Sequence, residues 1–184
     1  MTISDTEAVS RNKGSEKSLY SNESSDRSSL TDKISDGVAR LRNSGIDETT
    51  IPDTFANVPK LIPPRVHAWL DVAVTGYFLA LGVIFAARRK SGPATAAFIN
   101  AGMVAGVSLF TDYEGTGEKP INFKMHGTLD ALQATTAALG PVLHGFADEP
   151  ESAFFYGQAA NEVAVIAFTD WDEGMPSAME RKAA

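Results

Sequence analysis

VHAWLD at residues 66–71 returns as MHGTLD at residues 125–130, 59 positions later in the chain. Each segment opens a mostly apolar stretch. Each stretch closes on a similar segment, FTDYE at residues 110–114 and FTDWD at residues 168–172. Similarity at a fixed spacing is typical of a duplicated structural unit. We therefore predict two copies of one helical hairpin, at about residues 64–114 and 123–172.

Four apolar spans make up these two copies, at about residues 66–87, 93–113, 123–146 and 153–171. Each is close to the roughly 20 residues that a helix needs to cross a bilayer. The short connections favour antiparallel neighbours, and Lys and Arg are absent from the interior of every span. We predict an all-α, four-helix transmembrane bundle over about residues 61–172, with a soluble four-helix bundle as the alternative.

The rest of the chain is polar. Nine serines fall within the first thirty residues, and such a composition is typical of disorder. Residues 1–60 are predicted to be a disordered Ser-rich tail and linker, with four prolines making residues 51–64 extended, and residues 173–184 a flexible tail. Ile34, Val38 and Leu41 have helical spacing and indicate a short amphipathic helix within this tail.

The charge and composition of the chain limit the possible binding partners and the possible cellular location. The net charge of -7 disfavours nucleic acid as a partner, and the absence of cysteine excludes disulfides and thiolate metal sites. No apolar core of a secretory signal is found near the N-terminus. We expect a multi-pass protein of the cell (inner) membrane with the lipid bilayer as its partner. The cations that flank the spans favour a cytoplasmic N-terminus, namely Lys60, Arg65, Lys119 and Lys124, whereas Arg88, Arg89 and Lys90 oppose it.

Polar residues mark the ends of the spans. Two hairpins of the same orientation bring the starts of spans one and three to the same membrane face as the ends of spans two and four. The predicted polar cluster at this face consists of His67, Asp71, Thr111, Asp112, His126, Asp130, Thr169 and Asp170. Trp69, Tyr113 and Trp171 are predicted to form an interfacial aromatic belt at the same face.

Three interpretations of this cluster are open. The favoured one is a structural network, in which Asp112 and Asp170 each accept a hydrogen bond from a histidine that opens a span, while Thr111 and Thr169 bond back to their own helices. The second is a site for a ligand, a proton or an ion. The third is a metal-dependent catalytic site. Its candidate ligands are His67, Asp71, His126 and Asp130, which pair at i, i+4 on helix faces.

The expectation for chemistry follows from the motifs. HExxH, P-loop and nucleophile-elbow motifs are absent, so we predict no catalytic residue, no cofactor and no bound metal. Glu162 stands apart as an intramembrane candidate, because it lies in the middle of span four, where a carboxylate is costly.

Small residues recur at four-residue spacing. Such pairs allow helix backbones to approach closely in lipid, and we predict helix packing, and a homo-oligomer, through these faces. The pairs are Gly76 with Ala80, Gly102 with Gly106, and Ala160 with Ala164.

PPRVHAWLD at residues 63–71, LFTDYE at 109–114 and MHGTLD at 125–130 resemble the bacterial integral membrane proteins with SPW repeats. TDYE at residues 111–114 is the closest match. The Ser-Pro-Trp motif itself is degraded, to Gly140-Pro141-Val142 in the second copy and Gly82-Val83-Ile84 in the first. The resemblance implies a duplicated two-helix hairpin in a membrane and supplies no catalytic residues.

The predicted function is a non-enzymatic structural or partner-binding membrane module. The alternative is a small transporter, or a proton- or ion-coupled protein, that uses the His and Asp residues of one membrane face together with Glu162.

Overall fold

The computed structural model describes residues 29, 31–40, 42–45 and 50–173. The predictions for residues 1–28 and 174–184 lie outside these residues. Residues 31–40 and 42–43 are helical (α1), as expected around Ile34 and Val38, whereas Leu41 is outside the described residues. The helices that follow are α2 (Thr50–Thr54), α3 (Pro64–Ala87), α4 (Ser91–Phe110), α5 (Phe123–Leu143) and α6 (Ser152–Phe168), with two-residue strands β1 (Thr111–Asp112) and β2 (Ile121–Asn122) between α4 and α5.

The four long helices agree with the four predicted apolar spans. α3 packs on α4, α4 on α5, and α5 on α6. Phenylalanine rings from α3 and α6, Phe78, Phe85 and Phe155, meet small alanines of α4 in the main apolar core. Gly82 allows this closeness, because a Cβ atom there would lie 2.6 Å from the ring of Phe98. The helix-rich architecture is therefore as expected.

The segment before α3 differs from the predicted extended linker. Residues Thr50–Thr54 form α2, which packs against α5 and α6. Ile51 and Phe55 are partly buried beside Ile166 and Trp171. The prolines predict an extended linker, but Pro52 lies in the first turn of α2, where a missing N–H costs no intrahelical bond.

Short backbone pairings join the helix ends in a crossed pattern. β1 pairs in parallel with β2, with Thr111 opposite Ile121. An isolated parallel bridge joins Ile62 to Thr169. Ile62 and Ile121 are 59 residues apart, and Thr111 and Thr169 are 58 apart. The segment that opens each hairpin is thus bonded to the segment that closes the other.

The outward surface of α3–α6 is apolar. Apart from Arg65 and Lys124 near the helix starts, the histidine and carboxylate residues of these helices are all buried, namely His67, Asp71, His126, Asp130 and Glu162. Large apolar side chains face outward on all four helices, including Val83, Phe98, Leu139 and Val163. Among the described residues, α3 and α4 are long and apolar enough to cross a membrane. α6 is shorter, at 17 residues, and α5 carries several polar side chains.

The small-residue pairs do not lie between helices of this chain. A Cβ atom at Gly76, Gly102 or Gly106 would meet nothing within 4 Å, and Ala80, Ala160 and Ala164 are exposed. The predicted packing through these faces is therefore wrong within the described bundle. Close approach occurs instead at Gly82 and Gly127.

An ion-pair cluster connects the two loops at the opposite end of the bundle. Lys90 Nζ, before α4, lies 2.9 Å from Glu149 Oε2 and 2.8 Å from Glu151 Oε1, before α6. Hydrogen bonds to Glu151 and then Glu149 raise the pKa of Lys90, and the same bond to Lys90 lowers the pKa of Glu151. Both hairpins are thus also bridged at this end.

Candidate functional site

Two histidines meet in the interior near one end of the bundle. His67 and His126 each lie three residues after the first residue of their helix, α3 and α5 respectively. Both side chains are essentially inaccessible to solvent, and their rings meet edge to face with centroids 5.0 Å apart. The crossed strand pairings join each of these helix starts to the end of the other hairpin, and the equivalent histidines of the two hairpins lie face to face.

The Nδ1 atoms of the histidines are bonded to threonines in a crossed arrangement. His67 Nδ1 lies 2.9 Å from Thr169 Oγ1, and His126 Nδ1 lies 2.7 Å from Thr111 Oγ1. Each threonine donates its own proton 2.7 Å to a carbonyl of the preceding helix turn, Val165 O or Val107 O. The threonine oxygens must therefore accept from the histidines, so both histidines carry a proton on Nδ1.

The Nε2 atoms face one another and two carboxylates. They are 3.2 Å apart. Asp130 lies 3.1 Å from His67 Nε2 and 3.2 Å from His126 Nε2. Asp71 lies 3.1 Å from His126 Nε2 and 3.5 Å from His67 Nε2. We call these four residues the His–Asp centre.

Other residues orient and enclose this centre. Tyr113 donates a 2.6 Å hydrogen bond, and Ser108 a 3.0 Å hydrogen bond, to Asp71 Oδ2. The rings of Phe123 and Trp171 pack against His67 at centroid distances of 5.5 and 5.1 Å. The sequence assigned Tyr113 and Trp171 to an interfacial belt, but Trp171 is only 2% exposed, and of the three aromatic residues Trp69 alone is strongly exposed, at 74%.

Asp112 and Asp170 do not bond to the histidines, so this part of the predicted network is wrong. The backbone after each helix is extended, and successive side chains of an extended segment point to opposite sides. Since Thr111 and Thr169 point inward, the next residue points away. Asp112 instead accepts from Thr116 and the Gly117 N–H, and Asp170 from the N–H groups of residues 172 and 173. Burial opposes the ionisation of Asp112, but these hydrogen bonds outweigh it and lower its pKa. The predicted return bonds of Thr111 and Thr169 are present.

Glu162 points into the bundle. It is 4% exposed, accepts a 3.0 Å hydrogen bond from Gln158 Nε2 on its own helix, and lies within electrostatic reach of Asp130, Asp71 and His126. A second polar pair lies between α4 and α5, where Gln133 donates a 2.9 Å hydrogen bond to Asn100 Oδ1. The sequence indicated Glu162 through its position, whereas Asn100 carried no such signal.

The chemistry available to the His–Asp centre is limited by its enclosure. Two imidazole nitrogens and two carboxylates converge, so the centre can share protons or hold a cation. One ligand atom each from His67, Asp71 and His126 lies within 4.8 Å of the others. A nucleophile or general base in contact with an open cleft is not seen at the centre.

Comparison with known proteins finds no family model, curated protein or solved structure that matches this chain at a significant level. The resemblance to the SPW-repeat proteins therefore stays a prediction from the motifs.

Proposed function

We propose that this chain is a non-enzymatic, multi-pass membrane protein whose two duplicated helical hairpins are joined at one membrane face by the His–Asp centre. α3 to α6 are its four spans in this proposal. The observation that carries it is the distribution of polarity over these helices, with charged groups inside and large apolar side chains outside. A soluble bundle requires a charged outer stripe on its helices, whereas lipid requires an apolar one.

Fractionation tests the membrane part of the proposal. The full chain is expected in the membrane pellet after washes with alkaline carbonate and with urea, and in the supernatant only after detergent extraction. Recovery in the high-speed supernatant without detergent would identify a soluble bundle instead. Peripheral attachment is distinguished by release in the carbonate wash.

The joining role rests on contacts between the hairpins. His67 of the first hairpin bonds to Thr169 and Asp130 of the second, and His126 of the second bonds to Thr111 and Asp71 of the first. Equivalent contacts at equivalent positions support the duplicated hairpin. Buried polar groups that bond to one another across two hairpins favour one specific arrangement of the helices, which supports a structural role for the centre.

A second candidate, a proton- or ion-coupled protein, is favoured by Glu162. A carboxylate buried in a membrane helix beside other ionisable groups is typical of proton pathways. In vesicles that contain the purified protein and a pH-sensitive dye, this candidate predicts a proton leak that Glu162→Gln abolishes and Asp148→Asn, in an exposed loop, leaves unchanged. Wild-type vesicles that are as tight as protein-free vesicles would eliminate it.

We also propose that two copies of the chain associate through the outward helix faces that carry small residues. Gly102 and Gly106 on α4, and Ala160 and Ala164 on α6, leave space for the backbone of a second copy. Gly106→Leu is then expected to convert a cross-linked dimer in membranes into monomer. Cross-linking that is unchanged by this substitution counts against this face.

A further inference from the structure

The His–Asp centre has the geometry of a metal site. We propose that it binds one divalent transition-metal ion, of which Zn²⁺ is the best fit, through His67 Nε2, His126 Nε2 and Asp71, with Asp130 against the same two nitrogens as the second negative charge. This inference deepens the proposed joining role and rests on it, because the ion would be the bond between the hairpins.

The tautomers point to this chemistry. Both histidines carry their proton on Nδ1, since each threonine oxygen has already given its own proton to a helix carbonyl. In their neutral form both therefore present an Nε2 lone pair towards the other. A ligating histidine that donates its second ring N–H to a hydrogen-bond acceptor is the usual outer-shell arrangement of zinc sites.

The spacing of the ligand atoms fits one small ion. Bonds of about 2.0–2.1 Å in a tetrahedral arrangement separate neighbouring ligand atoms by about 3.3–3.4 Å. The two Nε2 atoms are 3.2 Å apart, Asp71 Oδ2 lies 3.1 Å from that of His126, and Asp71 Oδ1 lies 3.5 Å from that of His67. Imidazole with carboxylate selects Zn²⁺ and its neighbours in the first transition row over Mg²⁺.

Protonation of the histidines balances the charges and lone pairs of the centre less well than a divalent ion does. Two lone pairs at 3.2 Å repel, and protonating both Nε2 atoms brings two positive N–H groups into the same gap. A single proton leaves two buried carboxylates facing one positive charge, which is costly away from water. A divalent ion accepts both lone pairs and neutralises both carboxylates at once.

Outer residues and an access route complete the site. Tyr113 and Ser108 fix the carboxylate of Asp71 through its Oδ2 atom, and ligating carboxylates are usually held in this way. A surface groove of about 450 Å³ runs alongside, bordered by Arg65, Trp69 and Tyr113. Rotation of Tyr113 would open the centre to this groove.

Metal titration of the purified full-length protein in mild detergent tests the proposal. After treatment with a chelator, the wild type is expected to take up one equivalent of Co²⁺ with the strong visible absorption of a tetrahedral site, to lose this absorption when Zn²⁺ is added, and to ignore Mg²⁺. Zinc near one equivalent is expected in protein that has not met a chelator. Folded wild type that takes up no Co²⁺ or Zn²⁺ would overturn the site.

Variants separate ligands from bystanders. His67→Gln and His126→Gln keep much of the side-chain volume and should abolish stoichiometric uptake, whereas His144→Ala, which alters the remaining histidine at the other end of α5, should not. Thr169→Val should keep one equivalent but weaken binding by about 10–100-fold. Uptake that survives both glutamine variants, or that fails with His144→Ala, would overturn the proposal. A protein that binds no metal yet requires detergent for extraction leaves the membrane proposal standing.

Discussion

Thr111 and Thr169 each hold two hydrogen bonds, one given to a helix carbonyl and one accepted from a histidine. Valine has the same shape without the hydroxyl. Thr111→Val or Thr169→Val therefore leaves the buried Nδ1–H group of one histidine without a hydrogen-bond acceptor. We expect each change to lower the free energy of unfolding by about 1–3 kcal/mol, measured by denaturant unfolding in detergent with a chelator present.

Thr135 offers a matched control for these two changes. It makes the same return bond, to Ala131 O, but it is exposed and has no histidine partner. Thr135→Val should change stability by much less. Equal losses in all three variants would mean that the return bonds matter and the histidine bonds do not.

Gly127 packs against the indole of Trp171, which leaves no room for a side chain. A Cβ atom at this position would lie 2.9–3.1 Å from three ring atoms, and the ring is buried and held by a hydrogen bond from its Nε1 to Ile166 O. Gly127→Ala is expected to cost about 1–3 kcal/mol of stability through overpacking, with a lower thermal midpoint as the readout. Gly76→Ala, where nothing lies within 4 Å, should be neutral or up to about 1 kcal/mol stabilising, and a similar loss there would refute the steric reason.

Individual residues show what a sequence can reveal of this site. The repeated His, Asp and Thr identify most of the site, because a duplicated hairpin places its copies at one end. The choice of Thr rather than Asp112 or Asp170 as the histidine partner depends on the direction of one side chain at an extended residue. Neither composition nor spacing contains that direction. Tyr113 and Trp171 were misassigned for a related reason, since aromatic residues suit a membrane interface and a buried polar site equally well.

At the level of helices, the two hairpins are coupled through the centre. A double-mutant cycle should find an interaction of about 0.5–3 kcal/mol between His126→Gln and Asp71→Asn, since Asp71 Oδ2 lies 3.1 Å from His126 Nε2. The measurement is again the free energy of unfolding, in the presence of a chelator.

The control cycle pairs His126→Gln with Asp170→Asn. Asp170 bonds to backbone N–H groups beyond α6 instead of to the histidine, so the two losses should add within about 0.5 kcal/mol. Additivity in both cycles would argue against a direct bond between the hairpins at His126.

Helix bounds were largely predictable, whereas the connections between helices were not. The apolar spans indicate α3 to α6 because continuous apolar stretches of this length form helices in either solvent. α2 was missed because four prolines dominate residues 51–64, although Ile51 and Phe55 find apolar neighbours only in the folded bundle. The crossed pairings of Ile62 and Ile121 involve too few residues to leave a strand pattern.

At the scale of the whole molecule, the orientation in a membrane can be tested by cysteine labelling. The chain lacks cysteine, so a single introduced cysteine gives the only labelling signal. Glu118 and Asp148 lie in exposed loops at opposite ends of the bundle. If the N-terminus is cytoplasmic, Asp148→Cys should react with an impermeant maleimide on intact cells, and Glu118→Cys only after the membrane is opened. Reversed labelling would reverse the orientation, and labelling of both from one side would contradict four spans.

Because the bonds cross between the two hairpins, the partners of each bond are translated at different times. His67 leaves the ribosome long before Asp130 and Thr169, which lie 63 and 102 residues further along the chain. During that interval the first hairpin carries a histidine and a threonine whose partners do not yet exist. Thr169 is the last of these bonding partners to be made. A chain that stops before Thr169 therefore leaves the Nδ1–H group of His67 without its hydrogen-bond acceptor.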